Sequence, residues 1–84
     1  MYTNAFMGME FMEEENIVVQ HFLYSDYLAE EYIFESAREA THFYMACIGF
    51  CEKIVDFPPT IQERQFRKFI LDEFGYMNYQ VNIY

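Results

Sequence analysis

The side chains in this chain that could do chemistry are fourteen carboxylates, two thiols and two imidazoles, set against five Lys and Arg. Cys47 and Cys51 stand four residues apart, one turn from each other on a common helix face. That spacing does not suit a CxxC metal or redox pair, and a disulfide across a single turn would staple nothing. Both are therefore expected as buried, reduced thiols. His42 is five residues from Cys47 and poorly aligned to serve as its base, and neither His42 nor His21 completes a ligand motif. The serines, Ser25 and Ser36, stand where helices would begin and lie in no nucleophile elbow. Gly8, Gly49 and Gly75 are too scattered for a phosphate loop. Acid–base catalysis needs two carboxylates in unlike surroundings across a cleft, whereas Glu13, Glu14 and Glu15 run side by side. The sequence predicts no enzyme, no metal and no cofactor.

What remains is charge. The net charge is -9, and it is unevenly spread. Between Met1 and Ala37 stand Glu10, Glu13, Glu14, Glu15, Asp26, Glu30, Glu31 and Glu35, with no Lys or Arg at all. All five bases, Arg38, Lys53, Arg64, Arg67 and Lys68, come later, among six further acids. Solubility alone would not empty one half of every base. Arg64, Arg67 and Lys68 form one basic patch, expected to pair with Glu63 or Asp72 rather than with phosphate.

The elements that must carry these groups fit one α+β domain spanning 1–84, since 84 residues suffice for a single core and nothing divides the chain. Residues 16–24 alternate with three successive β-branched residues, Ile17, Val18 and Val19, and predict a strand mostly buried on both faces; a helix running on from Glu10 competes. Ser25 and Asp26 would cap a helix over 26–35, and Ser36 with Glu39 a second over 36–56. In the second, Ala37, Ala40, Phe43, Cys47, Phe50, Cys51 and Ile54 draw an apolar stripe, with Gly49 expected to admit a neighbouring backbone. Pro58 and Pro59 end it. Thr60 with Glu63 should cap a third helix over 60–74, burying Ile61, Phe66, Phe69, Ile70 and Phe74, with Gly75 as its left-handed C-terminal residue. A strand over 76–83 follows, turning Met77, Tyr79, Val81 and Ile83 to one side. Its partner would be 16–24, the N-terminal segment or a second copy, the last making a homodimer. An all-α core with a terminal strand is the alternative. Residues 1–12 show no clean period.

Ten Phe and eight Tyr exceed what so small a core easily hides, which puts some of Tyr2, Phe6, Phe11, Tyr76, Tyr79 and Tyr84 at an interface. On a continuous helix Glu31, Glu35 and Glu39 form a row about 6 Å apart along the axis, a fit for a cationic groove. In size, acidity and lack of catalytic residues the whole chain resembles the small phage inhibitors of host defences, anti-CRISPR and anti-restriction proteins that imitate nucleic acid among them. That likeness is compositional and brings no site residues with it. The expected function is a cytoplasmic binding protein, in the host cytoplasm if phage-encoded. It would present Glu10, Glu13, Glu14, Glu15, Asp26, Tyr27, Glu30, Glu31, Glu35 and Glu39 to a basic protein surface, a nucleic-acid-binding groove of a host defence complex. It would bind no nucleic acid directly and no membrane. The rival is a non-enzymatic assembly module that forms a homo-oligomer through its C-terminal strand.

Overall fold

The computed structural model describes residues 2–6, 9–22, 30–75 and 79–83, with side chains for 9–21, 30–58, 60–75 and 79–83. In chain order these form β1 (Tyr2–Phe6), β2 (Met9–Glu14), β3 (Ile17–Phe22), β4 (Glu30–Phe34), α1 (Ala37–Lys53), α2 (Pro59–Phe74) and β5 (Tyr79–Ile83). The strands make one sheet in the order β1-β2-β3-β4-β5, each pair antiparallel. The α+β class read from the sequence holds, and its all-α alternative does not.

Of the strand expected at 16–24, Ile17–Phe22 form β3, Asn16 lies in the turn before it and 23–24 lie outside the described residues; α1 and α2 lie close to the helices expected over 36–56 and 60–74. The helix expected over 26–35 does not hold for its described part: 30–34 is β4, while 26–29, with Asp26 and Tyr27, lie outside the described residues. Period two wins because Glu30, Tyr32 and Phe34 all turn inward while Glu31 and Ile33 turn outward. Residues 1–12, which show no period, are largely taken up by β1 and β2.

The core lies between one face of the sheet and the helices. Met9, Phe11, Val18, Tyr32 and Phe34 point into it from the strands, and Ala40, Phe43, Tyr44, Cys47, Ile48 and Cys51 from α1. The α1 stripe is rotated from expectation, with Ala37 exposed and Tyr44 and Ile48 buried. Phe43 is its hub, its ring within 5.0 Å of those of Tyr32, Phe34 and Phe74. From α2, Phe66 reaches the ring of Phe11 at 5.4 Å, and Phe69 stacks on Phe50 at 4.2 Å. Cys47 and Cys51 are free thiols, both buried as expected. Gly49 is exposed, with open space where a Cβ would stand, so close backbone packing does not account for it.

Ser36 caps α1, its hydroxyl accepting from the Glu39 amide at 3.2 Å. Thr60 does not cap α2. Pro58 is the N-cap with Pro59 inside the first turn, because the fixed φ of proline is already helical and a missing donor costs nothing there. Ile61 is consequently exposed, and Gln62 is buried, its amide donating to the carbonyls of Val55 and Phe57 at 3.0 and 2.9 Å. Gly75 follows α2 with an ordinary helical φ of -61° rather than a left-handed one. Its smallness is needed because a Cβ would stand 2.5 Å from the Leu71 carbonyl oxygen.

β5 pairs with β4, a partner hidden by the expected helix. Of the expected strand, 76–78 lie outside the described residues. Tyr79 packs against Phe34 and Phe43, whereas Val81 and Ile83, farther along this edge strand, are 43% and 67% exposed.

Candidate interaction face on the open side of the sheet

Antiparallel register fixes which side chains share the outer face, the one turned away from the helices. Along one cross-strand row stand Met12, Val19, Glu31 and Asn82; along the next stand Glu14, Ile17, Ile33 and Gln80. Glu10 and His21 face each other in the row beyond Met12 and Val19. Opposite side chains in such rows lie about 5 Å apart, close enough to form one surface. Met12, Val19, Ile17 and Ile33 thus make an apolar band running diagonally from β2 across β3 to β4. Glu14 and Glu31 occupy the two corners beside it.

Glu15 extends this rim from the turn between β2 and β3. Its φ of 54° is left-handed, a conformation that tight hairpins favour and that is unusual for Glu. The turn is held by its neighbour: the Asn16 side-chain amide donates to the Phe34 carbonyl at 2.8 Å, and the Phe34 amide to the Asn16 carbonyl at 2.9 Å. Met12, Glu14, Glu15, Ile17, Val19 and Glu31 line a hollow of about 360 Å³. Asn82 donates to Glu31 at 3.2 Å, which braces that carboxylate at the edge of the hollow.

The expected partner-binding residues divide between the two faces. Glu10, Glu14, Glu15 and Glu31 lie on the outer face or its turn, and Glu35 is exposed just after β4. Glu39 belongs to α1. Glu31, Glu35 and Glu39 therefore do not form a helical row; a strand, a bend and a helix carry them in turn. Glu13 and Glu30 point inward and are 6% and 4% exposed, out of reach of a partner.

Each inward acid is satisfied internally. Glu13 accepts from the Thr41 hydroxyl at 2.6 Å. Glu30 accepts from the Tyr32 hydroxyl at 2.5 Å and meets the Arg67 guanidinium at 2.7 Å, while Arg67 also reaches Glu63 at 3.4 Å. Partial burial lowers the Arg67 pKa, but the hydrogen bond and charge of Glu30, then those of Glu63, outweigh it and leave it raised. Burial, then the hydrogen bond to Glu30 and its charge, push the Tyr32 phenol well above its usual range.

Every Lys and Arg of the chain lies on α1 or α2, and none on a strand or turn of the sheet. The outer face is therefore acidic at its rim, apolar along its middle and without a Lys or Arg of its own. The apolar band does not stand out in the sequence. The alternation of Ile17 and Val19 with Val18 and Gln20 is its signal, and it reads as burial on both faces, whereas Ile17 and Val19 are only half-buried. Of the aromatics proposed for an interface, Phe11 is fully buried, Tyr79 is half-buried, and Tyr76 and Tyr84 lie outside the described residues. The side chains of Tyr2 and Phe6 are also outside them.

Among the described residues no group of His, Cys, Asp and Glu could hold a metal ion, and no helix is long and apolar enough to cross a membrane. No protein-family model, curated protein or solved structure matches the chain.

Proposed function

We propose that this is a non-enzymatic binding protein that occludes a basic protein surface, in the manner of a phage inhibitor acting on a nucleic-acid-binding groove of a host defence complex in the cytoplasm. The separation of charge carries the proposal: Glu10, Glu14, Glu15, Glu31 and Glu35 lie on or beside a sheet layer that has no Lys or Arg, while all five bases ride on the helices. Such a field attracts a positive surface from a distance and turns the sheet toward it on arrival. Glu13, Glu30 and Glu39 have no part in this contact. The test is binding to oligolysine at low and at physiological ionic strength, about 0.15 M, where the screening length falls to about 8 Å. Affinity should drop steeply with salt; binding that ignores salt, or that survives Glu14→Gln together with Glu31→Gln, overturns the proposal.

A second reading is self-association through β5. The exposure of Val81 and Ile83 on an uncharged edge strand favours it, since edges are usually protected by charge or proline. Light scattering of the wild type and Val81→Lys decides: a dimer that the Lys variant dissolves supports it, and a wild-type monomer eliminates it.

A further inference from the structure

The solvent face of an antiparallel sheet is ordinarily polar, and here the middle of it is not. Met12, Val19, Ile17 and Ile33 form one contiguous band, and no described helix packs on it. Acidity alone does not account for four apolar side chains at the centre of an acidic rim. A rimmed apolar patch of this kind marks a contact surface.

Resting on the charge-driven reading above, we infer that the occupant of this face is a cationic amphipathic helix of a partner protein. Its apolar stripe lies along the Met12–Ile33 diagonal, and its Lys or Arg side chains reach Glu14 and Glu15 on one flank and Glu31 on the other. Three points select it. The two carboxylate corners are two strands and two residues apart, about 12 Å from strand spacing and rise, which is close to the 10 to 12 Å breadth of a helix with its side chains. A helix with apolar residues at i, i+3, i+4 and i+7 presents a stripe with flanks on both sides, which matches a band bordered by acids on both sides. A second copy of this chain would set Glu10, Glu14, Glu15 and Glu31 against themselves, and a nucleic acid or an anionic membrane would set phosphates against them. The helix would complete a third layer, covering the sheet on the side that its own helices leave open.

The experiment compares three peptides of equal positive charge by calorimetry: a Leu/Lys helix with its leucines on one face, the same composition scrambled so that no face is apolar, and oligolysine. The amphipathic helix should bind about tenfold or more tightly than the other two. Val19→Asn should remove that advantage and leave oligolysine binding unchanged, whereas Glu14→Gln with Glu31→Gln should weaken all three. Far-ultraviolet circular dichroism verifies that the variants are folded. If Val19→Asn does not fold, the amphipathic-versus-scrambled comparison on the wild type decides alone. Equal affinity for all three peptides overturns the helix inference and leaves the charge-driven reading standing. Failure of every peptide to bind at low salt overturns both. A Leu/Glu helix that binds as well as the Leu/Lys helix overturns the assignment of a cationic partner.

Discussion

The two faces of this sheet are made by the same strands, residue by residue in alternation, yet they treat carboxylates in opposite ways. On the inner face Glu13 and Glu30 are buried and each is matched: a hydroxyl for the first, a phenol and a guanidinium for the second. On the outer face Glu10, Glu14, Glu15 and Glu31 meet water, with no Lys or Arg on any strand. The difference separates the two things an acid can do in a small fold. An inward acid must find a hydrogen-bond donor or a counter-charge within the molecule or cost several kcal/mol, so it contributes to specifying the structure. An outward acid stays at least partly exposed, so its charge remains within reach of another molecule.

If the inner face carries the stability, the largest effect belongs to its hub. Phe43→Ala, which removes a ring in contact with Tyr32, Phe34, Phe74 and Tyr79, should cost about 3 to 5 kcal/mol. Urea denaturation should show that as a lower midpoint or as complete loss of the transition. Next comes Arg67→Met, which leaves Glu30 buried without its cation. About 2 to 3 kcal/mol is expected, below the range for fully buried pairs because the Arg67 side chain is 44% exposed. Adding Glu30→Gln, which keeps an acceptor for Tyr32, should recover most of that loss; a double variant no more stable than Arg67→Met would mean the ion pair is not what Arg67 supplies.

Alkaline pH tests the same interior by titration. Burial pushes the Cys51 thiol up to about 12 from an ordinary 9.0; it raises Cys47 as well, with Cys51 adding to the effect, and it raises Tyr32. The unfolded chain releases these protons at ordinary values while the folded chain keeps them. Stability is therefore full below about pH 9 and falls as pH rises toward 12, by about 1.4 kcal/mol per pH unit for each group involved. Melting temperatures from about pH 8 to pH 11 should trace this decline, and Cys51→Ala should make it shallower.

The outer face should be nearly silent in such measurements. Glu14→Gln and Glu31→Gln should each change stability by no more than about 0.5 kcal/mol, while together they weaken oligolysine binding. A large loss of stability from either one would erase the contrast between the faces.

What the sequence made legible follows the same division. Both helices could be read because Ala40, Phe43, Cys47 and Cys51, and then Phe66, Ile70 and Phe74, mark their periods locally. β4 could not, because Glu30 occupies an inward position that a period-two reading assigns to an apolar residue. Its justification, Arg67, stands thirty-seven residues away on another element. Good helix formers and a nearby Ser-Asp pair then suggested a helix. Glu13 hid the inner face of β2 in the same way, its partner Thr41 lying on α1. The uneven charge was plain from composition, but which carboxylates face outward depended on register, and register is a tertiary property.

β1 to β4 follow one another along the chain as a simple meander, each strand lying beside its predecessor. β5 keeps the same order in the sheet but reaches β4 only after the forty-four residues that separate Phe34 from Tyr79 and hold both helices. During synthesis the edge of β4, with Tyr32 and Phe34 along it, stays uncovered until everything up to β5 has left the ribosome. Closing so long a loop is slow compared with forming the hairpins before it. For that interval the growing chain exposes an aromatic strand edge to whatever is nearby, which makes the arrival of β5 the step at which this fold is most open to mispairing.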